Sequence, residues 1–310
     1  MSPVFHDFLI LPGIASSSID RIGLQPLVED NILVGTDESA EGRHAVWAAQ
    51  SVAPAAANLT ILRVVPLVAK GEIPSGRLVS SDVLGLAGPG HPELDRLMEW
   101  VGPDLRRTPA KRAELAVAFG VPGIEIGRLA VDRNASLIVL GRQARGPERR
   151  LLLGETADAV VRRSDRPVLF VPTTVTRFQR IAVAIDATER AASVLEAGLG
   201  FGRRHGMAVT VVTVEPELDD DQSAARATMP RARAVRIAET IRRVPGAASL
   251  PVVVRHGNAI EEVLAYVEET AADILVVGYR RGGPPKIVGP TEIARNLLYA
   301  TSRAVLTIPL

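Results

Sequence analysis

Cysteine is absent, aromatic residues make up only 4% of the chain, and acidic and basic residues nearly cancel. Without a thiol there is no disulfide framework, thiol catalysis, iron–sulfur cluster or thiolate zinc site, which fits a reducing compartment. Scarce aromatics argue against stacking platforms for nucleic-acid bases. Thirty-six basic against thirty-five acidic residues leave a net charge of +1, with no long-range pull toward nucleic acid or an anionic membrane. No uncharged run approaches the roughly 18 residues of a membrane span. The five histidines, His6, His44, His91, His205 and His256, show no metal-ligand spacing, so no metal site is expected and surface positions are. The start, MSPVFHDFLILPGI, has no basic leader, carries Asp7 and is broken at Pro12, making a poor signal peptide and a cytoplasmic location the expectation. Motifs of the common enzyme classes are also missing: GxxxxGK[ST], GxGxxG after a strand, GxSxG, HxGH and SGGxDS.

What the chain does have is length and apolar content. With 310 residues, 47% of them hydrophobic, it is large enough for two domains. A repeat defines them. ILVGTDESAEGRHAVWAAQ (32–50) lies on IAVAIDATERAASVLEAGL (181–199) at an offset of 149, and LTILRVVP (59–66) on VTVVTVEP (209–216) at 150. A longer middle segment in the first copy then shortens the offset to 137. At that offset LIVLGRQ (137–143) meets ILVVGYR (274–280) and RPVLFVP (166–172) meets RAVLTIP (303–309). Each copy alternates short Val/Ile/Leu-rich strands with helical patterns, as a parallel sheet buried on both faces requires. The fold class expected is α/β: two tandem, doubly wound, mostly parallel five-stranded sheet domains of Rossmann-like type. Strands are expected near 31–36, 59–65, 113–119, 136–140 and 167–171, and near 180–185, 208–214, 250–255, 273–277 and 304–308. Residues 1–30 form an N-terminal extension, 31–173 the first domain and 180–310 the second, with TTVTRFQ (173–179) as the join. The Gly/Pro/Ser-rich segment 66–92 reads as a loop, and the acidic run 219–221 as solvated.

In an open α/β sheet, ligands sit beyond the carboxyl ends of the strands where the strand order reverses. Thr36–Asp37 and Leu140–Gly141 mark that crevice in the first copy. From Gly141 the chain continues GRQARGPERRLLLGET, a basic loop and then a second glycine, Gly154, at a helix start. Free N–H groups and the helix dipole favour an anion there, with Arg142, Arg145, Arg149 and Arg150 raising the potential; the competing reading is a solvated arginine loop before an ordinary helix.

ILVGTDES, LTILRVV, LIVLGR, the loop ending RRLLLGE and the terminal RPVLFVP, in that order and in both copies, resemble the universal stress protein family. The resemblance implies an adenine nucleotide alpha hydrolase-like fold and, in many members, ATP binding. The family loop runs glycine, two residues, glycine, nine residues, then glycine followed by serine or threonine. Here Gly141 and Gly154 remain, but Ala144 stands at the second glycine, Glu155 at the phosphate-binding hydroxyl and Ala157 at a further one, beside Thr156. In the second copy Gly278 remains, Arg281 takes the second glycine position, and Thr291–Glu292 replace glycine and serine. A carboxylate about 4 Å from a phosphate costs on the order of 4 kcal/mol at an effective dielectric near 20, unless a cation bridges them. Either glutamate is equally well explained as an acidic first-turn residue that offsets the dipole. Asp37 and Asp186 match the family position at the adenine or ribose end, with helix capping as the alternative. Val64 and Val214 match the base-pocket position, with core packing as the alternative.

The resemblance thus implies a non-catalytic stress-response protein, with an eroded ATP or adenine-nucleotide site in domain 1 and a more degenerate one in domain 2. Its two domains should pair intramolecularly through their last strands, and homo-oligomers and a protein partner are expected, without nucleic-acid binding or membrane insertion. One alternative is a slow magnesium-dependent ATPase or phosphotransferase, with Asp37 orienting the metal and Glu155 the water. Another is a nucleotide-independent module that docks on a transporter or kinase.

Overall fold

A computed structural model describes residues 30–66, 90–105, 112–142, 155–216, 223–280 and 290–310. The first half runs β1 (Asn31–Thr36), α1 (Ala40–Val52), β2 (Asn58–Val65), α2 (Pro92–Leu105), β3 (Arg112–Phe119), α3 (Pro122–Asp132), β4 (Leu137–Arg142), α4 (Glu155–Arg163) and β5 (Val168–Pro172). The second repeats the order: β6 (Arg180–Ala184), α5 (Ala191–Arg204), β7 (Ala208–Glu215), α6 (Ser223–Arg243), β8 (Val252–His256), α7 (Ala259–Glu269), β9 (Ile274–Tyr279), α8 (Pro290–Ala300) and β10 (Ala304–Pro309). The strands form one ten-stranded sheet in the order β3-β2-β1-β4-β5-β10-β9-β6-β7-β8. Within each half every pairing is parallel, and the halves join through an antiparallel β5–β10 pair.

Alternation along the strands fills a core on each face. Ile32 and Val34 point into the layer under α1 and α2, continuous with that under α5 and α6, while Leu33 points into the layer under α3, α4, α7 and α8. Each fully buried aliphatic side chain contributes about 1.5–3 kcal/mol, so nearly unbroken Val/Ile/Leu strands are stable only in this two-sided burial. Helix starts are set locally. Ser39 caps α1, its Oγ accepting from Gly42 N at 3.0 Å, and Asn258 caps α7 by accepting from Ile260 N at 2.9 Å. Gly120 and Gly257 turn the chain into α3 and α7 with φ of 148° and 127°, a region that side-chain-bearing residues avoid.

The join between the halves is pinned to α1. His44 Nε2 donates to the carbonyl of Val175, which is buried, and Trp47 packs between the His44 ring at 4.6 Å and Phe178 at 5.4 Å. His44, His91 and His205 are partly buried packing residues, not the surface histidines expected; His91 lies against Phe119 and His205 against Phe201, ring centres 5.2 Å and 4.7 Å apart. Segment 67–89, the acidic run 219–221 and residues 1–29 lie outside the described residues.

Candidate functional site

The strand order reverses between β1 and β4, and the chain leaves β1 there through a series of tight turns. Thr36, buried, accepts from Glu38 N through its Oγ1 at 3.0 Å, and Asp37 accepts from Ser39 N at 3.0 Å. Asp37 is exposed and organises the turn, while the helix cap proper is Ser39, so the alternative reading of the aspartate as the cap of α1 does not hold. In the second half Asp186 Oδ1 accepts from both Thr188 N at 3.0 Å and Thr188 Oγ1 at 2.6 Å, and α5 starts only at Ala191. Neither aspartate is the capping residue of its helix.

Packing accounts for the glycines of both crevices. A methyl group on Gly141 would lie 2.2 Å from the Glu41 carbonyl oxygen, because the first turn of α1 rests directly on β4. One on Gly42 would lie 2.3 Å from Thr36 Oγ1, so the same turn of α1 needs a second glycine where it passes the end of β1. At Gly278 the space is held by Leu310 Cδ1 and Val194 Cγ2, each 2.7 Å from such a methyl. Leu140 and Val214 are buried in the core layer under α3, α4, α7 and α8, and Val64 packs against it partly buried.

Arg142 leaves the crevice altogether. It continues the alternation of β4, on the same face as Leu140, and reaches the last turn of α8 in the other half. There its guanidinium donates to the carbonyls of Leu298 at 2.6 Å, Thr301 at 2.7 Å and Arg303 at 2.9 Å. Two carbonyls at the negative end of α8 and one just ahead of β10 stand in for a counter-ion. Burial draws its pKa down from the ordinary arginine range to about 10, so it stays charged at neutral pH. The expectation that Arg142 adds to a phosphate-binding potential is corrected: its charge is spent on joining the halves.

Sequence reasoning missed a charged cluster at the crevice rim. Glu38, in a left-handed conformation with φ of 63°, turns its carboxylate onto Arg63 of β2 and to 3.0 Å from Arg96 Nε. Arg63 also lies 3.0 Å from Glu93. A lone arginine inside LTILRVV was the available signal, since a charge in a buried parallel strand needs a partner. A shallow polar hollow lies at the opposite strand ends, lined by Asn31, Asn58, Arg112, Glu114 and Arg133. Arg133 there pairs with Glu114 at 2.6 Å and Asn58 Nδ2 donates to Asn31 Oδ1 at 2.8 Å, so these polar groups serve one another.

Thr36, Asp37, Leu140 and Gly141 thus come together at the β1–β4 switch, with Val64 one strand away. Asp186 and Gly278 mark the equivalent place in the second half, and Thr156 lies in the first turn of α4. Ala144 and Gly154 lie outside the described residues, as do Arg145, Arg149, Arg150 and Arg281. Glu155 opens α4.

Fold and topology define a doubly wound α/β protein built as a fused pair of Rossmann-like halves. The universal stress protein family profile matches residues 29–172 and 177–308, and the chain belongs to that family. Among solved structures it is similar to a universal stress protein from Archaeoglobus fulgidus, at 21% identity over 91% of this chain and 98% of that one, with a TM-score of 0.60. It is also similar to a functionally unknown protein from Pseudomonas aeruginosa PAO1, at 14% identity over 91% and 93% of the two chains, with a TM-score of 0.64. A comparison with functionally curated proteins gives no match. Among the described residues no helix is long and apolar enough to cross a membrane.

Proposed function

We propose that the chain is a non-catalytic stress-response protein of the cytoplasm, working through contacts made by its paired two-domain body, and that its crevices bind adenine nucleotide weakly. One observation carries this reading: the glycine at the switch point is covered in each half by the protein itself. The α1 backbone covers Gly141, and Leu310 with Val194 covers Gly278. The diversion of Arg142 into the other half takes one cation from the phosphate side. Glu155 and Glu292, where the family places hydroxyls, add like-charge repulsion against a phosphate.

Calorimetric titration of the nucleotide-free full chain with ATP, with and without magnesium, tests it beside the Glu155→Ser variant. The expected result is a wild-type Kd above about 1 mM and at least a tenfold gain in Glu155→Ser, the low end of the Coulomb penalty after solvent screening. Micromolar binding of one ATP per wild-type chain would overturn it.

A further inference from the structure

The two halves meet about a pseudo-twofold axis, and the sequence offset of 137 identifies the residues it relates. Leu169 of β5 and Leu306 of β10 are equivalent positions and stand directly opposite each other in the antiparallel pair, so the axis passes between them. Around it, true copies would present like to like. They present unlike to unlike instead. Asp158 of α4 is the equivalent of Arg295 of α8, and these two meet, Arg295 Nε lying 3.6 Å from Asp158 Oδ1 with both side chains partly buried. Arg162 and Tyr299 are likewise equivalent, and both turn to Asp158: Arg162 Nη2 at 2.7 Å and the Tyr299 hydroxyl, donating at 3.2 Å. Arg295 Nε also donates to the Tyr299 oxygen at 2.9 Å.

The strands follow the same rule. Fully buried Phe170 is opposite Val305, while its equivalent Thr307 is opposite Val168 and donates its hydroxyl to the Val168 carbonyl at 3.2 Å. The diagonal across the axis therefore sets one large side chain against one small one. Arg142, which ties β4 to the end of α8, has Tyr279 as its equivalent.

Pairing a first half with another first half would set Asp158 against Asp158 and crowd two Phe170 rings. Pairing two second halves would set Arg295 against Arg295, leave a gap between two Thr307 side chains, and offer the α8 carbonyls no guanidinium. We propose that the β5–α4 surface and the β10–α8 surface form a complementary pair that accepts the unlike half and rejects a copy of itself, in one chain or between two. A tether alone raises the effective concentration of the other half without choosing it. The charge and size exchange does the choosing, and part of it acts by repulsion.

Charge exchange in the full chain tests this. The Asp158→Arg chain carries arginine at both equivalent positions and the Arg295→Asp chain aspartate at both, so each fits the other better than itself. The two variants, distinguished by mass label, are unfolded together, refolded at equal concentration and weighed by native mass spectrometry. Mixed dimers should outnumber the two like dimers combined by about fivefold or more, where random exchange gives parity. A variant that refolds only in the presence of the other supports the proposal equally. Parity, or two unmixed single-chain species, overturns it. So does a doubly exchanged chain, Asp158→Arg with Arg295→Asp, that fails to recover folding lost by both single variants.

Discussion

Tyr266, Tyr279 and Tyr299 are the three tyrosines of the chain, and all lie in the second half. Burial is the first cause that pushes each phenol up from its ordinary value of 10, and the Asp158 carboxylate adds to it for Tyr279 and Tyr299. A folded-state value above the unfolded one means that the stabilisation is complete below pH 10 and is lost as pH rises through the folded values. Near-ultraviolet titration of the native chain should accordingly show little phenolate at pH 10, with ionisation and unfolding arriving together above it. A half-ionised native chain at pH 10 would contradict this burial. At the same scale, Arg142 marks the limit of reading residues in sequence order. It stands beside Gly141 in a run of arginines, which suggests a phosphate loop. Alternation along β4 puts it on the face of Leu140, but what lies on that face is the end of α8, 156 residues away in the chain for Leu298. That contact is set by the pairing of the halves and has no local signature.

Elements were more legible than side chains. Strands expected near 31–36, 59–65, 113–119 and 304–308 correspond to β1, β2, β3 and β10 because a parallel strand buried on both faces must be apolar at nearly every position. How closely elements approach was not legible. Gly141 looks the same in sequence whether it makes room for a phosphate or for a helix, and here the first turn of α1 fills it. Glu38 likewise gives no sequence sign that it adopts a left-handed conformation and pairs with Arg63 at the crevice rim. The α1–β4 contact makes a prediction. Gly141→Ala must push the α1 backbone off β4, whereas Gly278→Ala meets only side-chain methyls of Leu310 and Val194. The first substitution should cost about 1–3 kcal/mol and the second distinctly less, read as urea midpoints. Equal or inverted costs would show that α1 does not bear on Gly141.

At the scale of the whole molecule, the antiparallel β5–β10 pair turns two five-stranded sheets into one, and Arg142 fastens the last turn of α8 to β4 across it. Pairing through the last strands follows from the family resemblance; the unlike residues around the axis become visible only once Leu169 is seen opposite Leu306. Two halves sharing a sheet, a buried cation and a pinned join should unfold as one unit. The chain carries its own probes for this, because its two tryptophans, Trp47 and Trp100, lie in the first half and its three tyrosines in the second. The most direct measurement is urea unfolding of the full chain, followed at once by tryptophan fluorescence and by derivative tyrosine absorbance. Coincident midpoints and slopes are predicted; two separated transitions, one per probe, would contradict the account of a single paired body.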